Sequence, residues 1–161
     1  MPKWFSSTLG LAVCVALCGG AACAARYFSG FGVESVWFTE LRKPAWMPSV
    51  ERCLQLWSVF YAAMAIALWL VWRAKGFTHE VMPYVSFGVQ LLLNTGWPAL
   101  FFVFHDLRAA FLESLMLWVG VLVTLIFFYR VKPWAAAWLA PYAACLGFFV
   151  ALNYSLWSAN A

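Results

Sequence analysis

Charged residues are scarce in this sequence. Only 10% of its 161 residues are Asp, Glu, Lys or Arg, whereas 66% are hydrophobic and 20% are aromatic. Soluble domains carry about 25% charged residues, so this composition excludes a soluble globular fold. The net charge is +4, and no basic run is dense enough to form a nucleic-acid site. The composition therefore indicates an integral membrane protein.

Residue groupings that are typical of catalysis or metal binding are also missing. There is no acid pair and no His–Cys couple, and the two histidines, His79 and His105, fall in predicted turns. The cysteines lack Cys-x-x-Cys spacing, so we expect small, buried and inert thiols. We predict no metal site and no catalytic residue for ground-state chemistry. The cysteines in question are Cys14, Cys18, Cys23, Cys53 and Cys145.

Long apolar runs fill most of the chain. A helix needs about 20 apolar residues to span a bilayer, and five such runs account for the length. We predict an all-α integral membrane protein, a five-transmembrane-helix bundle that forms one domain over residues 1–161. The helices are predicted at roughly 4–25, 51–73, 80–104, 107–129 and 134–158, and a long structured loop at 26–50 joins the first two.

The first apolar run has two possible interpretations. Lys3 precedes it and Ala-Cys-Ala lies near its end, as in a secretory signal. The run is long for a signal core, so we interpret it as a retained span. Small residues recur at every fourth position, which suits either internal packing or a homodimer seam. The two rows are Gly10, Cys14, Cys18 and Ala22, and Ala12, Ala16, Gly20 and Ala24.

The loop at 26–50 is unusually aromatic for a connection. Pro44 and Pro48 make a stiff corner in it, and Trp37 and Trp46 are among its aromatic residues. We expect the loop to fold over one mouth of the bundle, as functional loops often do. The alternative is that Trp37 and Trp46 belong to an interfacial aromatic belt.

The third run carries amides where hydrocarbon is expected. Gln90, Asn94, Trp97 and Phe101 fall on one helix face, and Pro98 should bend or loosen the helix. Amides are costly in hydrocarbon unless they have partners. They either hold helices together or line a cavity, and their combination with an indole and a phenyl ring favours the cavity.

Two further features of the spans bear on function and orientation. Glu113 is either a buried functional acid or a first-turn residue that favours the helix dipole, and we prefer the second interpretation. Asn153 lies deep enough in the fifth span to need a partner. Five spans place the termini on opposite sides, and the Lys and Arg residues divide evenly between the two faces, so the positive-inside rule leaves the orientation open.

Four motifs occur in one order along the chain. The loop reads Trp37-Phe-Thr-Glu-Leu-Arg-Lys-Pro-Ala-Trp-Met-Pro, and the second span contains Trp57-Ser-Val-Phe-Tyr. The third span has Gln90-Leu-x-x-Asn-x-x-Trp-Pro-x-x-Phe-Phe, and the fifth has Pro141-Tyr and Leu152-Asn-Tyr-x-x-Trp. Together these motifs resemble the TspO/MBR family of tryptophan-rich sensory proteins and translocator proteins, also called peripheral-type benzodiazepine receptors.

This resemblance implies a five-helix bundle, often a homodimer, with the long loop covering a pocket between the helices. The implied ligands are tetrapyrroles such as protoporphyrin IX or haem, sterols, and isoquinoline or benzodiazepine-type molecules, and no cofactor is required. The implied location is a bacterial envelope membrane or an organellar outer membrane. By position, the candidate ligand-binding residues are Trp37, Trp46, Trp57, Tyr61, Asn94, Trp97, Phe101, Tyr142, Cys145, Phe149 and Asn153.

Some positions depart from the family pattern. Cys145 stands where the family commonly has a Trp that is implicated in light-driven porphyrin breakdown, so we expect slow or absent photodegradation. Phe149 stands where a small residue is usual, and it should narrow the pocket. No Lys or Arg follows Tyr154, so the sterol-recognition pattern of animal members is absent.

The sequence therefore predicts a membrane receptor or translocator-type protein that binds tetrapyrroles in an aromatic pocket. Asn94 and Asn153 would orient a polar edge of the ligand, and Arg42 or Lys43 could meet a propionate at the mouth. The alternatives are a light-dependent porphyrin-degrading enzyme and a transporter of porphyrin or sterol.

Overall fold

All the regular secondary structure in the described part of the chain is helical. The computed structural model describes residues 3–75 and 80–161, so His79 lies outside the described residues. Five helical stretches in these ranges are long and apolar enough to cross a membrane. This confirms the predicted five-span architecture. The helices are α1 (Lys3–Gly30), α2 (Val36–Glu40), α3 (Val50–Lys75), α4 (Met82–Pro98), α5 (Leu107–Val131) and α6 (Pro133–Asn160), and a π-helical turn (Ala99–Val103) continues α4.

The five long helices pack as a closed ring. Around the ring the order is α1, α3, α6, α5, α4 and back to α1. Successive spans reverse direction, so the α1–α3 loop, the α4–α5 turn and the C-terminus of α6 lie on the same side of the bundle. The short helix α2 belongs to that loop, and we call residues 31–49 the roof.

The half of the ring away from the roof is solidly packed. Phe87 on α4 and Phe128 on α5 stack there with ring centroids 5.8 Å apart. Val71 on α3 and Leu139 on α6 are fully buried. Close packing of this kind leaves no room for a ligand between these rings.

Helix α1 is longer than the sequence suggested. Residues 26–30, which were expected to begin the loop, continue the helix to Gly30. The stretch from Arg26 to Ser29 contains no helix breaker, and the Ser29 hydroxyl donates a hydrogen bond to the carbonyl oxygen of Ala25 at 2.9 Å. The glycine then ends the helix, as glycines commonly do. This extension places Arg26 on the bundle instead of in the roof.

The α4–α5 turn shows how Pro98 acts. The helix does not stop at this proline but widens into the π-helical turn, and the N–H of Phe104 donates to the carbonyl oxygen of Ala99 at 3.0 Å. His105 then adopts a left-handed backbone conformation with φ of 55°. Asp106 caps α5 by accepting a hydrogen bond from the N–H of Ala109 at 2.8 Å.

The preferred interpretation of Glu113 is wrong. Helix α5 begins at Leu107, so Glu113 lies nearly two turns inside the helix and not in its first turn. Asp106 takes the terminal position that favours the helix dipole. The carboxyl group of Glu113 is instead buried in the bundle, with 5% of the side chain exposed.

One of the two rows of small residues in α1 serves internal packing. A Cβ atom on Gly10 would lie 2.6 Å from Nε1 of Trp72 on α3. Cys14 and Cys18 continue the same face and are buried. The second row is exposed at Ala12, Ala16 and Gly20, so its role as a homodimer seam stays a prediction.

Gly32 should be required for the roof to close. A Cβ atom at this position would lie 2.6 Å from Cβ of Phe102 and 2.9 Å from its carbonyl oxygen. We expect Gly32→Ala to displace the roof and to destabilise the protein by about 1–3 kcal/mol, as overpacking does. Thermal unfolding in detergent measures this.

The matched control is Gly30→Ala, because a Cβ atom on Gly30 meets nothing within 4 Å. This control should unfold at or slightly above the wild-type temperature. Equal stability of the Gly32→Ala and Gly30→Ala proteins would contradict the proposed contact.

Candidate functional site

A cavity of about 430 Å³ lies beneath the roof. All five long helices contribute to its wall, as does the π-helical turn. Its volume falls within the range of about 300–1,000 Å³ that is typical of small-molecule sites. The hollow half of the bundle is thus large enough for a ligand.

Most of the predicted site residues meet at this cavity. They come from α3, α4, the π-helical turn and α6, which are distant in sequence but adjacent in the ring. The predicted residues in the wall are Trp57, Tyr61, Asn94, Trp97, Phe101, Phe149 and Asn153.

Four other predicted residues lie outside the wall. Tyr142 is fully buried behind it, and Cys145 is partly buried on the same helix. Trp37 is a partly buried residue of the roof. Trp46 is 47% exposed and packs edge-on against Phe148 of α6, with ring centroids 5.3 Å apart.

A chain of hydrogen bonds joins three helices at the cavity wall. The hydroxyl of Tyr61 on α3 donates to Oδ1 of Asn94 on α4 at 2.5 Å. Nδ2 of Asn94 donates to the hydroxyl of Tyr142 on α6 at 2.6 Å. The two possible roles of the amide therefore coincide, since Asn94 both holds helices together and lines the cavity.

A second polar contact crosses the cavity wall at Asn153. Its Oδ1 accepts a hydrogen bond from Nε1 of Trp97 at 3.1 Å, and its Nδ2 donates to the carbonyl oxygen of Phe149 at 2.8 Å. The partner that Asn153 needs at membrane depth is thus an indole on α4. This hydrogen bond fixes the ring of Trp97 at the edge of the cavity.

Aromatic rings support the wall on both sides. Trp57 packs against Phe149 with ring centroids 5.5 Å apart and against Tyr142 at 5.9 Å. Trp97 stacks on Phe101 at 5.0 Å with an angle of 24° between the rings. These contacts hold flat faces beside the cavity, where offset or edge-on contact with another ring is favourable.

The roof is attached to the α4–α5 turn by its aromatic side chains. Trp37 stacks on His105 with ring centroids 4.2 Å apart, and it meets Phe101 edge-on at 5.6 Å. Phe38 is buried against Phe101 and Phe102. Trp37 is therefore fixed against the turn that follows α4, although it does not line the cavity.

The opposite end of the roof is held by the last turn of α6. The side chain of Asn160 accepts a hydrogen bond from the N–H of Arg42 at 2.9 Å and donates one to its carbonyl oxygen at 3.0 Å. A single amide side chain therefore pairs with both polar groups of one backbone residue. This pairing fixes the roof across the top of the ring.

Arg26 is the charged residue of the cavity wall, and no other described residue of the wall carries a charge. The cations expected to meet the ligand were Arg42 and Lys43. Neither lines the cavity, and Lys43 instead lies over the ring of Phe38, 4.2 Å from its centroid. Arg26 was missed because the helix was expected to end at residue 25. Ser114 on α5 also lines the cavity and was missed because its span has few polar groups.

The remaining side-chain chemistry of the cavity is limited. All five cysteines are free thiols. Within residues 3–75 and 80–161, no three His, Cys, Asp or Glu side chains form a group that could hold a metal ion. The arrangement suits reversible binding of an apolar molecule with a polar edge.

Comparison with known proteins agrees with this architecture. The model of the TspO/MBR family matches residues 9–158. The human translocator protein is 33% identical over 161 residues, which cover 99% of this chain and 92% of the relative. A tryptophan-rich protein TspO from Chlorobaculum tepidum is 31% identical, covering 94% of this chain and 96% of the relative.

A third relative is the protein CrtK of Rhodobacter capsulatus, which is 29% identical over 92% of this chain and 91% of its own length. These matches cover the roof, the cavity wall and all five spans. The chain is a multi-pass membrane protein and belongs to the TspO/MBR family.

Proposed function

We propose that this protein binds tetrapyrroles such as protoporphyrin IX in the cavity beneath the roof, as a receptor or translocator-type protein. The observation that carries this proposal is a cavity of about 430 Å³ whose wall combines flat aromatic rings, two asparagines and one arginine. A planar macrocycle gains from burial and ring contact. One of its relatives is named a translocator protein and another a tryptophan-rich protein TspO.

The two asparagines can orient the ligand. Asn94 and Asn153 already use part of their hydrogen-bonding capacity within the wall. Each amide nitrogen still has a second N–H, which is available to a polar edge of the ligand. The aromatic walls alone would also accept sterols or isoquinoline-type molecules, so the asparagines and Arg26 are what favour a ligand with polar substituents.

Arg26 gives the cavity a preference for an anionic substituent. It is exposed at the mouth, where a guanidinium can form two parallel hydrogen bonds with a carboxylate. A porphyrin propionate is such a group. Homodimerisation through the exposed face of α1 is part of the same proposal, because close helix approach at small residues favours it.

Trp57 should contribute strongly to affinity. Replacing its indole by the smaller leucine removes ring contact with the ligand, and we expect Trp57→Leu to weaken protoporphyrin IX binding about tenfold, which corresponds to about 1.4 kcal/mol. Titration of the detergent-solubilised protein, followed by porphyrin absorbance, measures this without relying on tryptophan emission.

The control for this titration is Trp138→Leu, the same substitution at an indole that is 47% exposed outside the cavity. It should leave the affinity unchanged. The proposal fails if porphyrin does not bind saturably to the wild-type protein, or if both substitutions have the same effect.

Arg26 should matter only for ligands that carry a free carboxylate. Because exposed ion pairs are worth about 0–1 kcal/mol, we expect Arg26→Gln to weaken protoporphyrin IX binding about threefold and to leave its dimethyl ester unaffected. Lys43→Gln is the control, since Lys43 does not line the cavity. Equal losses for the acid and the ester would remove the assigned role of Arg26.

The pairing of Asn160 with Arg42 should control ligand release. We expect Asn160→Ala to raise the dissociation rate of protoporphyrin IX about fivefold, which corresponds to about 1 kcal/mol for the lost hydrogen bonds. Stopped-flow dilution measures this rate. The control is Ser158→Ala, which removes only a local contact with Ser155 in the same helix. This protein should release the ligand at the wild-type rate. Faster release from both Asn160→Ala and Ser158→Ala would show a general loosening of α6 and contradict the assigned role of Asn160.

A further inference from the structure

Glu113 is a buried carboxyl group without a hydrogen-bond partner. Only 5% of the residue is exposed, and neither carboxyl oxygen has a partner among the described residues. It lies inside a segment that is long and apolar enough to span the membrane. Buried carboxyl groups are normally paired or hydrogen-bonded, so this one calls for an explanation.

No cation is available to pair with Glu113 from the helices around it. Helix α5 packs against α6, α4, the π-helical turn and, to a smaller extent, α3. The sequences of α4, the π-helical turn and α6 contain no Lys, Arg, His, Asp or Glu, and α3 has charged residues only at its two ends. Arg26 belongs to α1, which lines the opposite part of the cavity wall.

The titratable side chains on these neighbouring helices are phenols and thiols. Tyr142 is fully buried on α6 and is hydrogen-bonded through Asn94 to Tyr61. The remaining groups are more peripheral in the bundle. They are Tyr84 on α4, Cys53 on α3, and Cys145 and Tyr154 on α6.

An ionised Glu113 would be expensive in this setting. A carboxylate that loses its hydration without gaining a partner costs many kcal/mol, and intramembrane acids are rare for this reason. A neutral carboxylic acid avoids most of that cost. The surroundings of Glu113 therefore favour the form that carries a proton.

Helix α5 brings Glu113 close to the cavity, although Glu113 itself does not line it. Ser114 follows Glu113 in the chain and Leu117 lies one turn further along the same helix face, and both line the cavity. Glu113 therefore adjoins residues that line the cavity. Val33 and Met47 of the roof line the same cavity.

We propose that Glu113 is a proton-binding site in the membrane interior, which keeps its proton while the cavity is closed and releases it to water that enters beside Ser114. The step is a simple dissociation in which the carboxylic acid becomes a carboxylate and the proton passes to a water molecule. The opening of the roof would thus be linked to proton release. No ligand is needed for this property.

Infrared spectroscopy of the protein in lipid nanodiscs tests the first half of this proposal. At neutral pH we expect a carboxylic-acid C=O band that is lost in Glu113→Gln and retained in Glu51→Gln, since Glu51 is an exposed residue at the start of α3. Glu113→Asp should keep the band at a shifted position. A wild-type spectrum with carboxylate bands only, or an acid band that persists in Glu113→Gln, would overturn the proposal.

A second measurement requires no variant. Dicyclohexylcarbodiimide adds to protonated carboxylic acids in apolar surroundings and forms a stable N-acylurea without a leaving group. Peptide mass spectrometry of the labelled wild-type protein should place the adduct on Glu113. Labelling confined to exposed carboxyl groups, or no labelling, would contradict the assignment even if Glu113→Gln fails to fold.

The link to the roof is tested with Asn160→Ala in the same infrared experiment. If opening admits water to Glu113, the acid band at neutral pH should be weaker in this protein than in the wild type or in Ser158→Ala. Equal bands in all three would overturn the link. None of these measurements uses porphyrin, so failure of tetrapyrrole binding and failure of this proposal remain distinguishable.

Discussion

The structure depends on one constraint, that polar side chains in hydrocarbon are costly unless other polar groups satisfy them. Asn94 meets this constraint by accepting from Tyr61 and donating to Tyr142, and so connects α3, α4 and α6. The hydrogen bonds fix the separation of these three helices at the level of the amide. The same side chain that satisfies the constraint also lines the cavity.

The helical architecture could be predicted because span length and apolar composition are properties of a linear sequence. The presence of amides at membrane depth and the aromatic loop also indicated where a cavity would lie. The partners of those amides could not be predicted. Tyr142 is fully buried behind the wall while Tyr61 lines it, and nothing in their local sequences distinguishes these positions.

The incorrect expectations arose at helix ends. An arginine was taken as the end of the first span, yet no residue from Arg26 to Ser29 breaks the helix. Glu113 was assigned to a first turn because the apolar part of its span begins at Phe111, although Asp106 caps the helix seven residues before Glu113. Helix boundaries are commonly uncertain by a few residues. In this protein such uncertainty left Arg26 out of the predicted cavity and placed Glu113 at a helix end.

The solid packing around Phe87 and Phe128 has a further consequence for the path of a ligand through the bundle. A ligand bound as proposed would meet a closed end there, because the stacked rings of Phe87 and Phe128 fill the bundle away from the roof. It would have to leave by its route of entry unless two helices slid apart. The proposed cavity would then exchange its ligand with one side of the membrane, and the roof would set how long the ligand stays.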